Sequence, residues 1–320
     1  MNTEYKFSGP FKEIMPNYIE YKHSLGFSFP ASSCKALRAM DDFFKKYDIS
    51  EIKLTKEMVL DFVKYRENEA SATTCLRCSF IREFAKYLKL IGFKNIYVLS
   101  TQYIPKHTST FVPFIFTYEQ ISTIFELIDN HNMRPQFLYT QKVYSTLIRL
   151  LYSCGLRSGE ALSLKISDID FTNSIIHILS SKNNTSRIVC MSDSLSKVVQ
   201  NYINERNLKT TDWLFPSPKG GHYTQDSVHE FLTNIFRKAN IVNSNGKPPR
   251  VHDLRHTFAV HSLRKMVNDG MDIYCALPFL SSFLGHKNIY STEKYLRLVD
   301  EDFIKVVDTN FNIFGGIIDG

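Results

Sequence analysis

Apolar residues in the first hundred positions recur at steps of three and four. Phe11, Ile14, Met15, Tyr18 and Ile19 share one face of 11–25, with Leu25 further along. Leu37, Met40, Phe43 and Phe44 keep register through 32–47, after Pro30. Thr55 stands where an N-cap belongs, ahead of a stripe of Met58, Val59, Phe62 and Val63 in 55–69; a fourth pattern fills 71–92 and stops at Gly92. This spacing is the period of an amphipathic helix, not of a strand. It predicts a compact unit of four helices, each with Lys or Arg beside its apolar stripe.

Periodicity lapses over 93–113, where Pro105, Pro113 and five Ser/Thr residues read as an extended linker. The domain boundary is expected near 108. Helical patterns resume at 117–129, with Thr117 and Gln120 spaced as a capping box, and at 141–155, a strongly apolar segment stopped by Gly155. Apolar runs at 174–181 and 187–193 flank a polar turn and predict a β-hairpin. Further helices are expected at 194–206, 224–239, 252–268, 271–283 and 291–297. The chain therefore reads as mainly α with a small β-hairpin, an α+β fold. A helical domain over 1–108 precedes a larger one over 109–299 and a tail over 300–320. The tail carries an apolar stripe of Phe303, Val306, Val307, Phe311 and Phe314, too large to leave uncovered on a monomer.

Composition narrows the class without naming a function. The 320 residues suffice for two cores, and 43% hydrophobic with 22% charged residues is the balance of a folded soluble protein. A formal charge of +7 and a pI near 8.9 suit a polyanionic partner, though many basic proteins never meet nucleic acid. Six scattered cysteines suit reduced thiols. Cys75 and Cys78 form a C-x-x-C with no second pair, so zinc is not expected there. The start MNTEYKFSGPF lacks a secretory apolar segment, and the apolar run 274–285 is too short to cross a bilayer. A cytoplasmic protein is expected, without membrane contact.

Four short segments carry the candidate chemistry. GLRSGE (155–160) offers Arg157, whose fork matches phosphate oxygens, and Glu160 three residues on. HDLRHTFA (252–259) places His252 and Arg255 on one side of a helix start, where free N–H groups also favour an anion. LGH (284–286) ends in His286, and STEKYL (291–296) holds Tyr295 nine residues later. His252, His256 and His261 invite a metal reading. Arg255 lies inside that set, however, and the stretch between the first two histidines lacks the glutamate base of a zincin. With no acidic cluster either, a metal-dependent nuclease is disfavoured.

The order, types and spacings of these residues resemble the tyrosine recombinase, or phage integrase, family. The resemblance implies a helical, SAM-like core-binding domain followed by the recombinase catalytic domain. It implies that Arg157, Arg255 and His286 hold the scissile phosphate, with Glu160 in support. His252 is then an acid–base group on the attacking side and Tyr295 the nucleophile of a 3′-phosphotyrosyl intermediate. Lys182, in the turn SSKNNTSR, corresponds to the general acid for the leaving 5′ oxygen, although this turn departs from the family's glycine-lysine-glycine pattern. Arg187 is expected on a backbone phosphate, and Arg77 and Lys86 are further DNA-binding candidates. Neither metal nor ATP is implied. The implied partners are double-stranded recombination sites and three further copies in a tetramer, with the tail docked in a neighbour. Partner recombinases or accessory DNA-bending proteins remain open. The implied setting is a bacterial or phage-encoded enzyme that integrates and excises a mobile element. Two alternatives stay beside it: an architectural DNA-binding protein of the same fold, and a nicking-closing enzyme like type IB topoisomerases.

Overall fold

The computed structural model describes residues 6–27, 29, 31–47, 49, 51–105, 112–130, 138–179, 186–286 and 288–298. The chain divides into two units, Met1–Phe111 and Val112–Gly320. In the first, the four stripes become α1 (Met15–Ser24), α2 (Ala31–Phe43), α3 (Lys56–Val63) and α4 (Ser71–Leu90). Their apolar faces converge on rings that meet edge to face: Phe11–Phe84 and Tyr18–Phe84 at 5.3 Å, Phe11–Phe44 at 5.6 Å. The buried carboxylate of Asp41 accepts from the N–H groups of Gly9 (2.6 Å) and Phe11 (2.8 Å), so the turns before α1 are pinned to α2.

Three sequence expectations need correction here. Helix α3 stops at Val63 and not at 69, and Asn68 behind it takes a φ of 63°, outside any right-handed helix. The presumed linker is part core: Ile96 and Leu99 are buried, and Leu54 bridges Ile96 through Leu54 N–H to Asn95 O (2.9 Å) and Tyr97 N–H to Leu54 O (2.7 Å). Arg77 is no free DNA contact. Its side chain is nearly covered and its guanidinium is spent on Glu69 (2.5 and 2.8 Å) and the Lys64 carbonyl (2.9 Å). Lys86 pairs with Glu83 at 2.6 Å and stays half-exposed.

The second unit has the expected mainly helical make-up with a small sheet. Its elements are α5 (Tyr118–Asp129), α6 (Leu138–Cys154), a short α7 (Ser158–Leu162), α8 (Asp193–Glu205), α9 (Gln225–Lys238), α10 (Val251–Asn268), α11 (Ile273–Leu284) and α12 (Tyr290–Glu293). The Thr117–Gln120 capping box closes both ways, at 3.2 and 3.0 Å. The hairpin is the outer part of a three-stranded antiparallel sheet, ordered β1 (Ile169–Asp170), β2 (Ile175–Ile178), β3 (Arg187–Cys190). Helix α6 lies at the centre, with Leu147, Ile148, Leu150 and Leu151 buried. A smaller core joins α10 to α11 through Val260, Leu263, Leu277 and Leu280, and includes Tyr295. The helix expected over 291–297 breaks at Lys294–Tyr295, with only a 3₁₀ turn at Leu296–Leu298 beyond. The tail and the turn bearing Lys182 lie outside the described residues. Among the described residues no helix is long and apolar enough to cross a membrane.

Candidate active site

Two chain reversals build the site. Helix α6 ends at Gly155, whose φ of 58° turns the backbone and lets Phe258 of α10 pack closely; a Cβ there would lie 2.3 Å from the Phe258 ring. Two residues on, Arg157 leads into α7. Helix α11 ends at Gly285 (φ 66°), and the His286 N–H closes back on Ser281 O at 3.0 Å. That end leaves carbonyls without helical partners. Three successive ones are taken by arginines: Phe283 O by Arg187 Nε (3.0 Å), Leu284 O by Arg255 Nη2 (2.6 Å) and Gly285 O by Arg157 Nη2 (3.2 Å). The negative pole of α11 is thus the mount for all three guanidiniums.

One carboxylate holds the group together. Glu160 accepts from the Arg157 backbone N–H (2.9 Å) and from Arg157 Nη1 (2.6 Å). It also receives both ends of the Arg187 fork, at 3.0 and 2.7 Å, and lies 4.0 Å from Arg255 Nη1. Burial alone would raise its pKa, but the Arg187 and Arg157 hydrogen bonds prevail and hold it down at about 2. Arg187 is therefore not the surface phosphate contact expected of it. Its side chain is 8% exposed and committed to Glu160. Arg255 is also buried, with Nη1 on Gly155 O at 2.6 Å. Burial and then the Arg157 charge lower its pKa to about 10, so it stays cationic at neutral pH. Three guanidiniums against one carboxylate leave a surplus of two positive charges, and Arg157 is the least covered of the three.

The histidines and the phenol occupy the adjoining space. His286 Nδ1 meets the buried Thr292 hydroxyl at 2.8 Å; with that hydroxyl donating, the imidazole N–H is carried on Nε2. Burial, then Arg255 and Arg157, pull its pKa to about 3, so it is neutral before any anion arrives. Its ring runs nearly parallel to that of Tyr295, at 6.5 Å. Tyr295 is itself buried, and burial pushes its phenol up to about 12 against the opposing pull of Arg255 and Arg157. The ammonium of Lys294 lies 5.1 Å from the centre of its ring. The phenol oxygen meets Nδ1 of His256 at 2.9 Å. His252 sits one turn earlier in α10, exposed, with its ring edge-on to His256 at 4.6 Å.

Arg157, Glu160, His252, Arg255, His286 and Tyr295 are all placed in the second unit, and the contacts above tie five of them into one network around α11 and α10. Lys182 lies outside the described residues, and Arg77 and Lys86 belong to the first unit. Sequence reasoning missed two parts. His256 entered it only as a metal candidate, although it lies four residues from His252 and so on the same helix face. Arg187 is in phase with the buried Val189 and Met191, a strand alternation that points it inward. The assembled groups can bind a phosphodiester by two forks, neutralise charge that develops on it, and present an oxygen nucleophile.

Comparison with known proteins fits this geometry. Residues 115–302 match the model of the phage integrase family. A tyrosine recombinase of Pseudothermotoga lettingae is 28% identical over 256 residues, 80% of this chain and 80% of that one. Among solved structures, the XerH site-specific recombinase in a post-cleavage complex with palindromic difH substrate aligns with a TM-score of 0.66 at 22% identity. That alignment covers 85% of this chain and 77% of the other. The Tn1549 transposon integrase, in complex with transposon right-end DNA, aligns at 0.59 and 19% identity, covering 88% and 93%. The two structural likenesses speak for the fold.

Proposed function

The chain belongs to the phage integrase family, the tyrosine-type site-specific DNA recombinases, and we propose that it exchanges strands through a 3′-phosphotyrosyl bond made by Tyr295. The observation that carries this reading is the mounting of Arg157 and Arg255 on the same helix end that leads, through His286, to Tyr295. In the proposed step the Tyr295 oxygen attacks phosphorus and the 5′ oxygen departs. Arg157, Arg255 and the His286 N–H stabilise the added charge on the non-bridging oxygens. One phosphodiester replaces another, so the bond energy is kept and the reaction needs no ATP. Guanidinium charge stands in the role that metal ions fill in other phosphotransferases, so the reading needs no metal. Lys182 is our candidate for protonating the leaving 5′ oxygen.

The wider setting we favour is a tetramer bridging two sites, with the apolar tail of each copy covered by a neighbour, in a bacterial or phage-encoded system that moves an element in and out of DNA. Covalent trapping tests the chemistry and the DNA it acts on. Full-length protein is incubated with nicked or mismatched fragments of its source genome in EDTA, beside Tyr295→Phe, and the attached ends are sequenced. A Tyr295-dependent 3′ adduct at one recurrent sequence supports the reading, and ends that coincide with the termini of an element support the setting. Adducts that only reseal point to a nicking-closing enzyme. Specific binding without an adduct points to an architectural protein.

A further inference from the structure

A phenol with a pKa near 12 is a poor nucleophile unless its proton leaves as it attacks. What receives that proton is therefore a question the site must answer. The group in contact is the imidazole of His256, whose Nδ1 lies 2.9 Å from the Tyr295 oxygen. Both residues are almost wholly buried, so bulk water does not compete for the hydrogen bond. His252, expected in the acid–base role, is exposed one turn away.

Resting on the reading of Tyr295 as nucleophile, we propose that His256 is a further catalytic residue, which positions the phenol and accepts its proton as the oxygen bonds to phosphorus. The step balances. The Tyr295 O–P bond forms while the P–O5′ bond breaks, the phenolic proton passes to His256 Nδ1, and the leaving 5′ oxygen is protonated by a separate acid, the role proposed for Lys182. In the second transfer an incoming 5′-hydroxyl attacks the phosphotyrosine and gives its proton back to the separate group that had protonated the leaving 5′ oxygen, while the imidazolium returns its proton to the departing phenolate. One group serves both directions, as microscopic reversibility requires.

The surroundings make this proton transfer depend on substrate. Burial first, then His252 on the same helix, Lys294 beside the nucleophile, and Arg250 and Arg255, all oppose a charged His256 and hold it neutral with a pKa of about 2. A phosphate anion seated on Arg157 and Arg255 offsets those cationic neighbours at the moment the proton must move.

The test compares wild type, His256→Ala and His256→Asn as full-length chains on the nicked duplex recovered by trapping. It follows adduct formation at neutral and alkaline pH, and again with a fluorinated, more acidic tyrosine at 295. We expect His256→Ala to slow adduct formation by roughly 10²- to 10⁴-fold with DNA affinity unchanged. Alkaline pH or the fluorinated phenol should recover much of that loss, because either removes the need for a base. His256→Asn, whose amide oxygen can still accept from the phenol, should bind and melt like wild type yet share the pH-dependent deficit. An unimpaired His256→Ala overturns the proposal, as does a deficit equal at every pH and untouched by fluorination. A wild type that forms no Tyr295-dependent adduct overturns the nucleophile reading itself, a separate result.

Discussion

The unit Met1–Phe111 buries mostly rings around a single carboxylate, Asp41; the unit Val112–Gly320 buries several charged and titratable groups together. In the first, Phe11, Tyr18, Phe44 and Phe84 stand in a core filled out by aliphatic side chains such as Leu37, Met40, Ile81 and Leu88, and the buried polar side chains among the described residues are Asp41 and Thr74. In the second, Glu160, Asp253, Arg255, His256, Thr257, His261 and Thr292 are all interior. Buried apolar area adds stability wherever it lies, whereas a buried ion offsets its desolvation only when its partners are in place. The lesson is a division of labour. Packing in the first unit contributes stability with little demand on geometry, and the polar interior of the second unit fixes geometry at some cost in stability.

Substitutions can break or sharpen that contrast. The largest effect is expected from Tyr295→Phe, which should abolish the covalent adduct while lowering unfolding free energy by only about 1–2 kcal/mol, the loss of one buried hydrogen bond; adduct gels and urea melts give both numbers. Next, Arg255→Ala should cut the adduct rate by about 10²–10³-fold, as expected for one oxyanion donor, and should also destabilise the fold. Its removal orphans the Gly155 and Leu284 carbonyls. Arg255→Lys should not rescue the rate, because one ammonium lacks the fork. The mirror-image experiment is Phe84→Ala in the first unit. It should cost about 3–5 kcal/mol of stability and leave the adduct rate of folded protein on pre-bound DNA unchanged; a slowed rate there would break the contrast.

Glu160→Gln sharpens it through pH. Glu160 is held down at about 2, below its unfolded value, so its contribution is full above that unfolded value, near 4.5, and fades as pH falls toward 2. The melting temperature of Glu160→Gln should therefore lie below wild type at neutral pH and converge with it in acid. The smallest effect is expected from Lys86→Ala. Its exposed pair with Glu83 should be worth under about 0.5 kcal/mol, and if Lys86 touches a phosphate the salt slope of DNA binding should fall by about one.

Much of the fold and part of the site were legible in the sequence, for identifiable reasons. The stripes led by Phe11, Leu37 and Met58 could be read because helix burial imposes a period on neighbouring residues. Arg157, Arg255, His286 and Tyr295 could be read because their types and spacings together are uncommon. The partners could not. Arg187 meets Phe283 from 96 residues away and Arg157 meets Gly285 from 128, and no local period records such meetings. The same holds for Asp41, which lies 30 residues from the Phe11 N–H that it caps. Helix α12 was overextended because Tyr295 and Leu296 continue its apolar pattern. Tyr295, however, is drawn into the α10–α11 core, where its hydroxyl meets His256.

The carbonyls of residues 283, 284 and 285 carry one more consequence. Three guanidiniums mounted on separate elements could drift independently, and a phosphate would have to gather them at an entropic cost. Here they ride on a single rail. Arg157, Arg187 and Arg255 each donate to a carbonyl of this one helix end, and His286 is the next residue along the chain. The spacing of the three cations is therefore set by the fold in advance, and little further ordering is needed for an anion to meet them together.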